Sequence, residues 1–244
     1  MKRSKAMLML LMMMIIANIS TAQTVDEVLK NYYKAVGGEK FAKVSTLKQE
    51  GNIVTSMGDL AFVKYSKRPN IVRTEINAMG QQILQLFDGN FSYSNNPFQG
   101  QPDLVKGSDE QTANSKLQAD FESPLLNYKE KGTKVELVGK ENVDAAETYK
   151  VKITTKDGFE EYYYISSKTN LPARMTYKNT LNGAENNNDV RYLSYKDVNG
   201  VMIPDDIKVM QDNNPMGKEL NIKITSIESN VVIDDAMFAA PETK

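Results

Sequence analysis

Hydrophobic positions change period along this chain, and the changes mark out its elements. Val25, Val28, Leu29, Tyr32 and Val36 recur at helical spacing, which predicts a helix with one apolar stripe. Thr24 and Glu27 stand three apart at its start and fit a capping box, where hydroxyl and carboxylate each satisfy a free backbone N–H. Gly37 and Gly38 end the helix, since glycine takes the left-handed conformation cheaply. A short turn over 39–44 leads on.

From residue 45 the period falls to two. Val72, Thr74 and Ile76 face one way while Arg73, Glu75 and Asn77 face the other. Strands are predicted over 46–56, 59–67, 70–78, 81–87 and 90–93. Met57-Gly58-Asp59, Arg68-Pro69-Asn70, Met79-Gly80 and Asp88-Gly89-Asn90 separate them. Residues 94–107, with Pro97 and Pro102, read as a polar loop. Two helical pieces follow, one over 108–121 capped by Ser108 and Gln111, one over 123–131 opened by Pro124. The first is mostly polar, so only a narrow side can pack. Strands resume over 134–139, 147–155, 158–165, 173–180, 189–198, 203–211 and 218–231. Lys156-Asp157-Gly158 is a hairpin signal, because Asp-Gly suits a type I′ turn. Asn182-Gly183 and Asn199-Gly200 read as turns, and residues 186–188 as a polar loop tip.

About 11–12 strands with three helical pieces define an α+β chain dominated by antiparallel sheet. So many strands form a curved sheet, a barrel or a sandwich. Helices before and between the strands suit an open, curved sheet with a cavity beneath them.

The first 22 residues carry a different signal. Lys2, Arg3 and Lys5 precede an apolar run from Ala6 to Ala17, and Ser20-Thr21-Ala22 supplies small residues. This is the pattern of a secretory signal peptide cleaved near Ala22. The expectation is a periplasmic protein with one domain over 23–244. The whole chain has net charge −1, and the leader holds three basic residues and no acidic one, so the mature part stands at −4. That balance argues against a nucleic-acid partner. The chain has no His, Cys or Trp. A Ser-His-Asp triad, a cysteine nucleophile, a His- or Cys-ligated metal and disulfides are excluded. Carboxylate pairs such as Glu160-Glu161 fall on adjacent strand positions, whose side chains face opposite ways. The expectation is therefore no enzyme and no cofactor.

Several motifs, in order along the chain, resemble the periplasmic carrier of the lipoprotein-sorting Lol system. Lys67-Arg68-Pro69-Asn70, followed by Ile71-Val72, is similar to that carrier's Lys-Arg-Pro-Asn turn. Ile83-Leu84-Gln85-Leu86-Phe87-Asp88-Gly89 resembles its strand ending in Asp-Gly, and Tyr93-Ser94-Asn95-Asn96-Pro97-Phe98 its aromatic segment. Tyr163-Tyr164-Ile165, Thr169-Asn170-Leu171-Pro172-Ala173-Arg174-Met175 and the ending Asp235-Ala236-Met237-Phe238 with Pro241 also match. So does the opening Tyr33-Lys34-Ala35-Val36-Gly37-Gly38. The resemblance implies an incomplete barrel of the LolA-LolB-like superfamily, with helices as a lid over an apolar cavity. It implies lipid or lipoprotein acyl chains as ligand, and partners at both membranes, an inner-membrane donor complex and an outer-membrane acceptor.

It also implies a role for Arg68, whose five N–H donors would hold the lid closed through spare carbonyls at a helix end. Val72 and Ile76 share its parity and are candidate cavity residues, as are Phe62, Leu84, Leu86, Tyr93 and Phe98. Leu117, Phe121 and Leu125 are candidates for the lid underside. Ordinary core is the alternative role for all of these, and a filled envelope module the alternative function. Val72 departs from the family's aromatic preference, and no receptor-specific loop is identifiable near the C-terminus.

Overall fold

The computed structural model describes residues 23–240, apart from Met57, Asn182 and residues 214–216. The expected leader and Pro241 lie outside the described residues, as do Met57 and Asn182 within two of the expected turns.

Helix α1, Val25–Ala35, has the expected capping box: Thr24 Oγ1 accepts from Glu27 N, and the Glu27 carboxylate accepts from Thr24 N. A helical turn, α2 (Glu39–Ala42), occupies the expected turn over 39–44. Six strands then run as a meander: β1 Thr46–Thr55, β2 Gly58–Lys67, β3 Ile71–Ala78, β4 Gln81–Phe87, β5 Ser92–Asn96 and β6 Gln101–Lys106. Helix α3, Asp109–Ala119, interrupts them. Seven more follow: β7 Lys134–Val143, β8 Ala146–Thr154, β9 Glu160–Ser166, β10 Pro172–Leu181, β11 Ala184–Val198, β12 Val201–Gln211 and β13 Glu219–Ser229.

All thirteen strands form one sheet in the order β6-β5-β4-β3-β2-β1-β13-β12-β11-β10-β9-β8-β7. Every pairing is antiparallel. The chain thus pairs its first strand with its last, and the free edges, β6 and β7, flank α3 in sequence. The result is an incomplete antiparallel barrel with helices on its inner face, as expected. At the β1–β13 seam the register shifts between Glu50 and Gly51. A Cβ on Gly51 would collide with the backbone of Lys223 and Ile224, so only glycine allows the close approach.

The main core lies on the inner face at one end. There Val28, Leu29, Tyr32 and Val36 of α1 pack against Val151 and Ile153 of β8, Tyr163 and Ile165 of β9, and Leu125 and Leu126. The outer face of β3 and β4 is capped by the C-terminal 3-10 turn Asp235–Phe238, where Arg73 Nη1 donates to Met237 O at 2.9 Å.

Three local expectations are corrected. Residues 94–107 are not all loop: Gln101–Lys106 form β6. Pro102, which has no N–H to give a ladder, is tolerated because β6 is an edge strand. Residues 123–131 are not a helix but a chain of turns, because Ser123 and Asn127 both take positive φ (64° and 53°). Asn186, Asn187 and Asn188 are no loop tip: they lie inside β11.

Candidate functional site

Strand register sorts the candidate residues by face. On the inner face, Leu47, Ser66, Val72 and Phe87 form one row across β1–β4. Gly51, Phe62, Ile76 and Ile83 form another. Between them runs Gln49, Lys64, Thr74, Gln85 and Ser94. Phe62, Val72 and Ile76 therefore share the inner face. Leu84, Leu86 and Tyr93 lie on the opposite face, with Glu75 and Arg73. Phe98 is half exposed beyond β5. Leu125 is 2% exposed, packed in the core cluster with α1.

The inner face is unevenly filled. At the β7–β9 end, α1 seals it. Along β12, β13 and β3–β4, Ile207, Val209, Ile222, Ile224, Val72 and Ile83 keep accessible apolar surface. Among the described residues of the cluster there, Ile53, Phe62, Ile76 and Leu220 are buried. Ile83, Val209, Ile222 and Ile224 pack against that cluster on one side and leave part of their apolar surface uncovered.

Helix α3 spans the sheet, touching β4 and β5 on one side and β10 on the other. Its hold is polar. Ser92 N and Oγ meet Thr112 Oγ1 at 3.3 and 3.2 Å. Asn114 donates to Thr180 O and accepts from Asn179. Asn179 Oδ1 in turn accepts from Asn186 and Asn188, which are almost fully buried on the same inner face. Lys116 pairs with Asp157 at 2.7 Å. Among its own residues only Ala119 is buried, and Leu117 is half-buried. A cleft of about 550 Å³ opens where α3 meets β10, lined by Ala113, Leu117, Phe159 and Asn179. A helix held by hydrogen bonds rather than by apolar packing belongs to the weakly protected parts of a fold.

Arg68 anchors the segment that follows α3. Its Nε donates to Val44 O and its Nη2 to Phe41 O at 2.9 Å, both carbonyls at the end of α2. Its Nη1 pairs with the Glu122 carboxylate. The guanidinium lies 5.5 Å from the Phe41 ring centre and 4.7 Å from that of Phe121, and the two rings stack. Asn127 and Lys131 add contacts to Glu122, and Lys131 also pairs with Asp120. Arg68 and Phe121 thus come together, with Phe41 and Glu122 as partners that sequence patterning did not single out. A hydrogen bond to a carbonyl leaves no periodic signature.

Strand register turns Glu161 and Lys64 inward. Glu161 on β9 is 6% exposed, with Oε2 unpartnered. Burial pushes its carboxyl up to about 7, Tyr163 opposes this as a donor, and Asp120 adds to it. Burial also raises the hydroxyl of Tyr32 to about 12, and both Tyr32 and Tyr163 reach Ser123 beside Asp120. Lys64 on β2 is treated below.

These features define a class of protein: an open antiparallel barrel whose inner face is lidded by a polar helix and pinned by an arginine. No family model and no curated protein matches the sequence. Solved structures do match in fold. A LolA superfamily protein from Nitrosomonas europaea superposes with a TM-score of 0.59 at 13% identity, over 90% of this chain and 99% of that one. A DUF1329 family protein from Desulfovibrio piger gives 0.58 at 14%, over 89% and 98%. A domain assigned to outer membrane lipoprotein sorting, from Vibrio parahaemolyticus, gives 0.53 at 9%, over 87% and 94%. The resemblance carried by the motifs is thus met by a likeness in fold to the LolA superfamily over nearly the whole described chain.

Proposed function

We propose that this protein is a periplasmic, non-catalytic carrier that holds lipid or lipoprotein acyl chains on its inner face and serves outer-membrane lipoprotein sorting or lipid transport. The observation that carries the reading is the accessible apolar surface of Ile207, Val209, Ile222, Ile224, Val72 and Ile83 inside a sheet that α3 covers. Each methylene moved from water onto such a surface contributes about 0.8 kcal/mol, so a chain of about 14 carbons supplies ample affinity without metal or nucleotide. Transfer then runs downhill from an inner-membrane donor to an outer-membrane acceptor. The polar seating of α3 suits a lid that yields to a ligand: its hydrogen bonds can be exchanged for water at small net cost, whereas apolar packing cannot.

The test is displacement. A neutral fluorescent hydrophobic probe is expected to bind the purified protein with one saturable site and to be displaced by a single-chain lipid. A probe that fails to bind, or that binds without saturation, rejects the carrier reading.

A further inference from the structure

Lys64 stands apart from the other cations of the sheet. The neighbouring Lys48, Lys67 and Arg73 each hold a carboxylate, and so do lysines across the rest of the sheet, such as Lys150, Lys152 and Lys208. Lys64 makes no ion pair or hydrogen bond among the described residues. Its register partners on β1 and β3 are Gln49 and Thr74, so it projects from the inner face. Protein packs around it, and it is half-buried. Burial lowers its pKa from 10.5, and no neighbouring charge counters the effect.

An enclosed ammonium without a counter-charge is costly. A protein keeps one where something else supplies the charge. Its surroundings specify what fits. Gln49, Thr74, Gln85 and Ser94 extend Lys64 into a polar row across five strands. On one side lies the row with Phe62, Ile76 and Ile83, on the other the row with Leu47, Val72 and Phe87. A polar stripe centred on a cation and bordered by apolar rows matches an amphiphile with an acidic end.

Resting on the carrier reading, we infer that the ligand is an acidic amphiphile, an acyl chain bearing a carboxylate or phosphate, whose acidic group pairs with Lys64 while its chain lies against Val72 and Ile83, the half-buried members of the flanking apolar rows. Gln49 and Thr74 hydrogen-bond the remaining oxygens, and a neutral lipid leaves the ammonium unpaired.

The experiment is competition against a neutral fluorescent probe by decanoate, decyl phosphate and decanol, with inorganic phosphate as a further arm. In the wild type the two acids are expected to compete about tenfold more tightly than decanol, the scale of one charge-assisted hydrogen bond. In Lys64→Met that preference is lost while decanol competes as before, and Lys64→Arg restores it. A preference confined to one acid supports the inference and names the headgroup. Decanol equal to the acids in the wild type, a preference that survives Lys64→Met, or displacement by inorganic phosphate alone overturns it. These outcomes leave the carrier reading standing, whereas a neutral probe that does not bind at all removes both.

Discussion

Arg68→Leu is expected to loosen α3 and residues 120–133 while leaving the thirteen-stranded sheet intact. The substitution keeps an apolar side chain against Phe41 and Phe121 and removes every side-chain donor. The Val44 carbonyl loses its side-chain donor, the Phe41 carbonyl keeps the Val44 N–H, and the Glu122 carboxylate keeps only Asn127 and the more distant Lys131. Losing a charge-assisted network of this kind costs about 3 kcal/mol. The loss falls on the closed position of the lid segment, because Arg68 reaches across to it from the turn between β2 and β3. Hydrogen exchange of amides in 109–133 should therefore quicken about 100-fold, while the β1–β13 seam is unchanged. Uniform quickening across all strands would make Arg68 a general stability residue. No change in 109–133 would remove it from the lid altogether.

Glu161→Gln is expected to abolish a fall in stability between mildly acidic and neutral pH. The Glu161 carboxyl titrates near 7 when folded, against 4.5 as its ordinary value. The folded state thus holds a proton that the unfolded state releases in that window. Its stabilising contribution is fully present below 4.5, declines as pH rises toward 7, and is gone above it. Across the window the decline amounts to about 3 kcal/mol. The variant keeps the shape of a protonated carboxyl, so urea unfolding should find it near wild type at pH 4.5 and about 3 kcal/mol more stable at pH 8. Parallel stability curves for the two proteins would mean that Glu161 is ionised and solvated in the folded state.

Much of this architecture was legible in the sequence because it rests on periodicity. The capping boxes at Thr24 and Ser108 and the alternation through Val72–Ile76 are local signals, and the structure follows them. What escaped depends on partners far along the chain. Asn186 and Asn188 look like loop residues because their amides are polar, yet a strand carries them inward to bond Asn179 and, through it, Asn114 of α3. β6 carries a proline and pairs on one side alone, so nothing in its own residues announces a strand. The candidate site divided for a similar reason. Phe62, Val72 and Ile76 face inward, whereas Leu84, Leu86 and Tyr93 face outward on the side that the C-terminal turn covers. Both faces of β4 are apolar, at Leu86 and Phe87, so alternation could not choose between them. Lys64 carries no signal in the sequence, and Glu161 reads there only as half of the adjacent pair Glu160-Glu161, because what distinguishes both is the surroundings that strand pairing builds.

Photolabelling tests the inner face most directly. A decyl chain bearing a terminal diazirine, irradiated with the protein and mapped by peptide mass spectrometry, should mark the segments around Ile207–Val209, 222–224 and Leu117, and lose those marks when unmodified decanoate is in excess. Labels confined to the outward-facing Leu84 and Tyr93, or labels that competitor does not reduce, would contradict an acyl chain held beneath the lid.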